Sequence, residues 1–263
     1  MTDEVALSGG VANAGAVSRV GDVVYRPATE FTASVHRLLR DLRGNGFMGA
    51  PEPLDPGGNG RERLSFIAGD VASAPYPEWA QSDDVLGSLA SLMRDFHEGA
   101  VGVSTDGLWN RDMADPSGPA EIVCHNDVCL ENVVFRNGSA VALLDWEFAA
   151  PGRRAYDVAQ MARMCVPITD VESARRLGWV DADRPRRLRL VCDSYGLDSA
   201  GRSELVDAVA DAIRVHGELV QRRVVAGDPN FTAMWEAIGG QGWLHRRRDW
   251  WAENRVAFAR ALA

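Results

Sequence analysis

The 263-residue chain contains no lysine, and all 28 of its Lys and Arg positions are arginine. Cysteine is also scarce, with four residues and no C-x-x-C pair of the kind that zinc and redox sites use. No apolar run approaches the roughly 20 residues that a membrane-spanning helix needs. The first residues, MTDEVALSGG, lack the basic stretch and apolar core of a signal peptide. These absences favour a cytoplasmic protein with reduced thiols and no membrane partner.

The overall composition is that of a globular protein, with 46% hydrophobic and 25% charged residues. A chain of this length can build one large domain or two lobes with a sizeable core. The net charge of −9 argues against a nucleic-acid partner and is compatible with a cationic ligand. Composition leaves the oligomeric state open.

The first 70 residues have the pattern of a small β-rich unit. Two short β-type runs, AVSRV and DVVYR, flank Gly21 and Asp22, which is typical of a hairpin turn, and Pro27 ends the second run. Regularly spaced apolar residues from Phe31 to Leu42 predict a helix. The run RLSFIAGDV predicts a further strand that enters a loop near residue 68.

The remaining residues are mostly helical in pattern. The segment SDDVLGSLASLMRDFHEG begins with a Ser/Asp cap and continues with apolar residues at helical spacing. The tripeptide NGS predicts a turn between two short strands. Further helices are expected at about 156–166, 183–195, 200–226 and 230–262.

Two short segments combine polar side chains with apolar neighbours. In CHNDVCLENVVF, four spacer residues separate Asp127 from Asn132, and LLDWEF places Asp145 at the end of a predicted strand. Phosphoryl transfer needs a carboxylate that orients the attacking hydroxyl, and Mg²⁺ held by carboxylate and carbonyl oxygens. These three side chains supply those groups. The alternative for Asp127 and Asn132 is a turn with Asx hydrogen bonds.

Together the two segments resemble the aminoglycoside phosphotransferase family, a branch of the protein-kinase-like fold. HNDVCLEN matches the family's H-x-D-x-x-x-x-N loop, and LLDWEF matches its metal-binding strand. The resemblance implies an α+β, bilobal fold, with a nucleotide-binding N-lobe over 1–70 and a catalytic, mainly helical C-lobe over 71–263. It also implies that Asp127 is the catalytic base, that Asn132 and Asp145 bind Mg²⁺, and that His125 braces the loop.

The same resemblance assigns the nucleotide contacts. LSGGVANAGAVSRVGDVVYRP corresponds to the hairpin that covers the phosphates, with Gly10 as a backbone contact. Backbone groups near Phe66, Ile67 and Ala68 are expected to bind the purine of ATP or GTP. Asp157 is expected either to fix the catalytic loop or to cap the helix that follows.

The N-lobe departs from the kinase pattern at the phosphate-binding lysine, which contacts the α- and β-phosphates. Arg26 occupies that position, and a guanidinium can also hold phosphate oxygens. The alternative is a solvated residue at a strand end. The following helix offers only Glu30 at its start and His36 on a central turn, and neither is predicted to be the usual glutamate partner.

Two features of the C-lobe bear on the acceptor. Glu147 follows Asp145 closely enough to face an acceptor. The C-terminal segment is rich in aromatic and acidic residues, which suit a sugar or polyol ligand but equally suit a packed core. These residues are Trp235, Glu236, Trp243, Asp249, Trp250, Trp251 and Glu253. The arginines at 246–248 are predicted to form a solvated helix face.

The sequence therefore predicts a Mg²⁺-dependent O-phosphotransferase that uses ATP or GTP. The leading acceptor is the hydroxyl of an aminoglycoside or a related sugar-containing compound, with antibiotic resistance as the corresponding role. A cationic acceptor fits the acidic net charge. A kinase of a primary metabolite, such as a sugar or amino alcohol, is the first alternative. A nucleotide-binding pseudokinase is the second, because the lysine is missing.

Overall fold

The computed structural model describes residues 4–7, 16–54 and 60–263. Gly10, the predicted phosphate contact, lies outside these residues. The N-lobe contains an antiparallel sheet with strand order β1-β2-β3-β4. Its strands are β1 (Val5–Ala6), β2 (Ser18–Val20), β3 (Val23–Pro27) and β4 (Arg61–Ser65). The predicted hairpin is confirmed, and Gly21 turns the chain at φ 59°, a conformation that glycine adopts at little cost.

Helix α1 (Thr32–Gly44) lies in the chain between β3 and β4 and packs against the C-lobe. Its buried face contains Val35, Leu38, Leu39 and Leu42, as the apolar spacing predicted. These side chains belong to one hydrophobic cluster that continues through the C-lobe. Burial of a Leu or Val side chain stabilises the folded state by roughly 1.5–3 kcal/mol. The shared core therefore helps to hold the two lobes together.

The C-lobe is mainly helical, as predicted. Ser82 caps its first helix, because its side chain accepts a hydrogen bond from the Val85 N–H at 3.2 Å. The short helix α4 was not predicted. The helices are α2 (Asp83–Gly99), α3 (Arg154–Cys165), α4 (Val171–Arg176), α5 (Arg184–Tyr195), α6 (Ser199–Val225), α7 (Pro229–Ile238) and α8 (Gly240–Leu262).

The prediction of one continuous helix over 230–262 was wrong. The chain breaks at Gly239 and Gly240, which have φ values of 96° and 56°. Two successive residues with positive φ cannot continue a right-handed helix, and glycine removes the steric cost of that conformation. The C-terminal region is therefore a pair of helices, α7 and α8, that pack against each other.

Two strand pairs in the C-lobe bring the predicted active-site segments together. β5 (Ile122–Cys124) pairs with β8 (Ala150–Gly152), and β6 (Val133–Arg136) pairs with β7 (Ser139–Leu143). The HNDVCLEN loop connects β5 to β6, and Asp145 lies between β7 and β8. Because both pairs are antiparallel, the two segments emerge side by side. The predicted NGS turn is confirmed between β6 and β7.

The α+β, bilobal architecture agrees with the sequence-based expectation. Placement of the lobe boundary at residue 70 stays a prediction. In the described residues, no helix combines the length and apolarity that a membrane crossing requires. The four cysteines are buried and unpaired, as the absence of a C-x-x-C motif indicated.

Candidate active site

A cleft of about 270 Å³ lies between the lobes. Arg26 and Phe66 line it from the N-lobe, and Asn132 and Asp145 line it from the C-lobe. Five of the predicted site residues therefore share one space although they come from segments far apart in sequence: Arg26, Phe66, Ile67, Asn132 and Asp145. Asp127 joins this group through a direct hydrogen bond to Asn132.

The predicted hinge residues differ in what they offer to a ligand. The Phe66 N–H already donates to the Asp22 carbonyl at 2.9 Å, and the Ala68 carbonyl accepts from Arg136 Nε at 2.7 Å. Ile67 lines the cleft, and its backbone N–H and C=O make no hydrogen bond to any described residue. Ile67 is thus the hinge residue with a donor and an acceptor available for a purine, whereas Ala68 is exposed and does not line the cleft.

Asp157 holds the catalytic loop in place. Its two carboxylate oxygens accept hydrogen bonds from the His125 and Asn126 backbone N–H groups, both at 2.7 Å. His97 Nε2 lies 3.1 Å from the same carboxylate. Burial is the largest single effect and would raise the pKa of Asp157, but the hydrogen bond and charge of His97, together with the charge and backbone N–H of His125, outweigh it and lower the pKa. The N-cap position of α3 is occupied by Arg153, so fixing the loop is the role that the geometry assigns to Asp157.

His125 connects the loop to the strand before Asp145. Its Nε2–H donates to the Leu144 carbonyl at 2.8 Å, and its Nδ1 accepts from the Asp127 N–H at 3.3 Å. Burial lowers the pKa of His125, which favours the neutral ring that this bonding pattern requires. His125 therefore braces the loop.

Asp127 and Asn132 are hydrogen-bonded within the loop. Asn132 Nδ2 donates to the Asp127 carbonyl at 2.9 Å and to Asp127 Oδ2 at 3.3 Å. Burial, followed by the negative charge of Asp145, raises the pKa of Asp127 to about 8, and the charge of Arg163 opposes the shift. A carboxyl group with this pKa exchanges a proton near neutral pH, which suits a general base.

Asp145 adopts the left-handed conformation, with φ 58° and ψ 70°. This region is costly for a residue other than glycine and persists where the surroundings enforce it, often at functional sites. The Leu144 N–H donates to the Asn132 carbonyl at 2.8 Å, which ties the strand end to the catalytic loop. The turn directs the Asp145 carboxylate into the cleft, where Arg26 Nη1 contacts its Oδ1 at 2.7 Å.

Arg26 is held by a carboxylate that the sequence did not reveal. Glu62 on β4 lies directly opposite Arg26 in the sheet register and accepts a hydrogen bond from Arg26 Nε. His36 Nε2 of α1 lies 2.6 Å from the second oxygen of Glu62. Burial alone would raise the pKa of Glu62, but the hydrogen bond from His36 and the charge of Arg26 lower it. The ionised Glu62 thus fixes Arg26 so that it reaches Asp145.

Arg26 is not the solvated strand-end residue of the alternative interpretation, because only 11% of its side chain is exposed. The glutamate partner comes from a strand, and the helix contributes His36 behind it. The alternation in RERLS was the available signal, since Glu62 and Leu64 are buried between partly exposed neighbours. A carboxylate on the buried face of a strand needs a cationic partner.

Comparison with known proteins agrees with this geometry. The sequence profile of the phosphotransferase enzyme family (APH) matches residues 101–191, which include the HNDVCLEN loop and Asp145. The trifolitoxin immunity protein of Rhizobium leguminosarum bv. trifolii is 30% identical over 269 aligned positions, which cover 100% of both chains. The chain belongs to the phosphotransferase enzyme family. It is accordingly an enzyme of the class that phosphorylates small molecules.

Solved structures share the fold of this phosphotransferase at low sequence identity. Ethanolamine kinase from Plasmodium vivax superimposes with a TM-score of 0.65 at 12% identity, covering 98% of this chain and 84% of the kinase. The amicoumacin kinase hAmiN, in complex with AMP-PNP, Ca²⁺ and Ami, gives a TM-score of 0.65 at 10% identity, covering 95% and 88% of the two chains. These similarities establish the protein-kinase-like fold.

The donor set of the phosphotransferase cleft fits a divalent cation. Asn132 uses its Nδ2 within the loop, and its Oδ1 makes no hydrogen bond to a described residue. Arg26 contacts one oxygen of Asp145 and leaves the other available. The described residues contain no group of three or more His, Cys, Asp or Glu side chains that could hold a metal alone. A Mg²⁺ ion that is shared with phosphates needs only one or two protein ligands.

The C-terminal aromatic segment contributes mainly to the core. Trp243 and Trp251 are buried, and Trp243 packs with Val220 and Phe231. The acidic side chains of this segment, Glu236, Asp249 and Glu253, are exposed. The prediction of a solvated arginine face was wrong for Arg247, because its residue exposure is 4%.

Glu147 contributes to the charge balance of the cleft. It lines a small space next to Arg26 and Glu62. Its negative charge helps to raise the pKa of both Arg26 and Asp127. Glu147 therefore lies near Arg26 and Asp127, and its position facing an acceptor stays a prediction.

Proposed function

We propose that this phosphotransferase uses Mg²⁺ and moves the γ-phosphate of ATP or GTP to a hydroxyl group of an antibiotic-like or toxin-like small molecule. The observation that carries the proposal is the shared cleft of Arg26, Asn132 and Asp145, with Asp127 hydrogen-bonded at its edge. In this arrangement the Arg26 guanidinium, the proposed metal ligands Asn132 and Asp145, and the proposed base Asp127 surround one space. A cytoplasmic location, where nucleoside triphosphates are present, belongs to the same proposal.

The nucleotide would lie between the hinge and Arg26. Ile67 offers a backbone donor and acceptor to the purine, and Arg26 offers its guanidinium to the phosphates. Asn132 Oδ1 and Asp145 would hold Mg²⁺, which would neutralise charge on the phosphate oxygens. The amicoumacin kinase structure contains a nucleotide analogue and a divalent cation, which supports this choice of ligands for the shared fold.

Asp127 would act on the acceptor. The acceptor oxygen forms a bond to the γ-phosphorus while the bond from this phosphorus to the β–γ bridging oxygen breaks. The nucleoside diphosphate departs with that electron pair, and the hydroxyl proton passes to Asp127. A pKa of about 8 makes the Asp127 carboxylate a competent acceptor for this proton near neutral pH.

The choice of acceptor class depends on the 30%-identical relative, which is a toxin immunity protein. Phosphorylation of a hydroxyl adds negative charge and bulk, and it can abolish the binding of a toxin to its target. An aminoglycoside or related sugar-containing compound remains the acceptor that the sequence favoured. A kinase of a metabolite such as an amino alcohol is the alternative, and the ethanolamine kinase shares the fold.

A substrate panel tests the proposal. The purified full-length chain would be incubated with Mg²⁺ and either ATP or GTP, together with aminoglycosides, peptide antibiotics, sugars and amino alcohols. We expect the mass of one acceptor class to increase by one phosphoryl group, with release of the nucleoside diphosphate. Transfer to ethanolamine or sugars, but to no antibiotic, would support the metabolite kinase instead. Nucleotide binding without hydrolysis or transfer would support the pseudokinase.

Nucleotide binding tests the metal site separately. Calorimetry should show Mg²⁺-dependent binding of ATP or GTP to the parent protein and its loss in Asp145→Asn. Asp95→Asn is a matched control, because the Asp95 side chain is 62% exposed and its Arg94 partner lies away from the cleft lining. Equal nucleotide affinity in the parent and Asp145→Asn would contradict the proposed metal ligand.

A further inference from the structure

Arg163 and Arg247 are buried arginines of the C-lobe that form no ion pair with a described carboxylate. Arg163 on α3 and Arg247 on α8 are each only 4% exposed. Arg163 donates to Gln160 Oε1 and lies next to Met164 Sδ, both at 3.1 Å. Arg247 Nη1 lies 3.1 Å from His216 Nδ1, and its guanidinium stacks on the Trp243 ring at 4.6 Å from the centroid. All of these partners are neutral acceptors or an aromatic face.

Several donors of this cluster have no acceptor. Arg163 Nη2, and Nε and Nη2 of Arg247, make no hydrogen bond to any residue that the structure describes, and none of these three atoms is fully buried, so each can be reached from solvent. An uncompensated buried charge is strongly destabilising, and two like charges in one interior region add repulsion. Such an arrangement is expected where an anion that is not part of the chain completes the site.

The electrostatics of the cluster also favour a bound anion. Burial, followed by the charge of Arg163, lowers the pKa of Arg247 to about 9. Burial and the two arginines lower the pKa of His216 well below its usual value, so the ring is neutral and accepts at Nδ1. The nearest carboxylate that affects Arg247 is Asp170. It already accepts from Ser173 at 2.6 and 3.0 Å and lies 3.7 Å from Arg246.

The cluster adjoins the catalytic loop from the side of the C-lobe helices. α3 carries both Asp157, which fixes the loop, and Arg163. At the end of the same helix, Cys165 Sγ approaches the Val128 carbonyl of the loop at 4.0 Å. The positive charge of Arg163 lowers the pKa of Asp127 although the two side chains form no direct ion pair. The nucleotide side of the loop faces the N-lobe, whereas this cluster is built from C-lobe helices α3, α6 and α8.

We propose that Arg163 and Arg247, with neutral His216, bind an anionic group of the acceptor, so that the substrate is a hydroxyl compound that also carries a carboxylate or a similar oxyanion. This inference rests on the proposed function and narrows its acceptor class. It differs from the cationic acceptor that the net charge of −9 suggested. Net charge describes the field over the whole surface, whereas recognition depends on the few groups that line the subsite.

Oxyanion binding tests the subsite without knowledge of the acceptor. The probe is sodium sulfate, compared with sodium chloride at equal ionic strength, and the readout is the melting temperature of the full-length chain. We expect sulfate to stabilise the parent by binding to the folded state, and Arg163→Met and Arg247→Met to lose most of this increase. Methionine has a similar length and no charge, so the fold should persist, which circular dichroism would check.

Arg248→Gln is the matched control for Arg247→Met. It lies on the same helix, but its side chain is 70% exposed and pairs with Asp249. Its melting temperature should respond to sulfate as the parent does. Sulfate bound near Arg26 would contribute equally to all of these proteins. An equal sulfate response in the parent, Arg163→Met and Arg247→Met, or no response in any of them, would overturn the anion subsite.

Matched acceptor pairs separate this inference from the proposed function. Hydroxyl-containing acids and peptides would be compared with their methyl esters or amides, with phosphoryl transfer read by mass. We expect a preference of about tenfold or more for the free acid, typical of a lost charged hydrogen bond, and its loss in Arg247→Met. Equal transfer to acid and ester would refute the subsite and leave the phosphotransferase intact. A chain that binds no nucleotide would refute the proposed function, while the sulfate response would still decide the subsite.

Discussion

The two walls of the cleft are built by different means. On the C-lobe wall, the catalytic loop is fixed by residues with 0% exposure, namely His125, Asn126 and Asp157. On the N-lobe wall, Arg26 is held by ion pairs to Glu62 and Asp145, and the surrounding strands are mostly half-exposed. Hydrogen bonds in a dry interior hold one geometry, whereas the Asp145 carboxylate that pairs with Arg26 is 23% exposed and can be reached by a ligand. The C-lobe is thus suited to fix the reacting groups, and the N-lobe to adjust to the nucleotide.

This difference implies that changes in the two walls should have separable effects. Substitutions in the C-lobe loop should alter turnover or the stability of the fold. Substitutions around Arg26 should mainly alter nucleotide affinity. Four measurements test whether the effects of the two walls are separable, and they are described in order of decreasing expected effect.

The largest effect is expected for Asp127→Ala. Loss of the general base should reduce turnover by about 10²–10⁴-fold, with little change in the melting temperature, because Asp127 is partly exposed. Pre-steady-state phosphoryl transfer at saturating nucleotide would measure it, with Asp95→Asn as the control. A rate equal to that of the parent would remove Asp127 from the mechanism.

Asp157→Ala should mainly affect the fold. The substitution leaves two buried backbone N–H groups and His97 without their acceptor. Removal of one partner from a buried charged network costs about 3–5 kcal/mol, which corresponds to a decrease in melting temperature of about 10 °C for a chain of this size. Differential scanning calorimetry would measure it. A parent-like melting temperature would show that the loop does not depend on this network.

Glu62→Gln should affect nucleotide affinity. The amide keeps the shape of the side chain but removes the charge that fixes Arg26, so we expect KM for the nucleotide to increase about tenfold with a small change in turnover. Glu52→Gln is the control in the same lobe, since the Glu52 side chain is 51% exposed. If turnover decreased and KM did not change, the proposed division between the two walls would be wrong.

The pH dependence of kcat/KM should report Asp127. Its pKa is raised to about 8, so the carboxylate that accepts the proton is present above this pH and is lost as the pH decreases through it. We expect kcat/KM to increase tenfold per pH unit well below the midpoint and to level off above it. Because burial is the first cause of the raised pKa and the charge of Asp145 is the second, a midpoint near 4 would mean that neither effect acts on Asp127 during turnover.

The catalytic loop was predictable because its chemistry is local. The H-x-D-x-x-x-x-N spacing places Asp127 and Asn132 in one loop, and the apolar residues before Asp145 indicate a buried strand. The helices could also be predicted from apolar spacing, because residues on one buried helix face recur about every 3.6 positions. The break at Gly239 and Gly240 was missed, since a glycine pair inside a helical pattern ends the helix only when both residues adopt positive φ.

Other features depended on pairing across the fold. Glu62 could not be assigned to Arg26 until the register of β3 and β4 placed them opposite each other. Arg247 has the sequence context of a solvated helix face, because it lies within a run of three arginines. It became a buried cation only through the packing of α8 against α6, which brings it to His216.

The sequence by itself determined the family, the α+β architecture and the three residues of the proposed transfer step, because each of these depends on spacing within a short segment. The tertiary structure decided which carboxylate holds Arg26, which loop Asp157 fixes and where two arginines remain without a counter-ion. Those outcomes depend on which side chains meet across strands and helices and on how much water is excluded around them. Burial sets the cost of an unpaired charge, and burial is a property of the assembled fold.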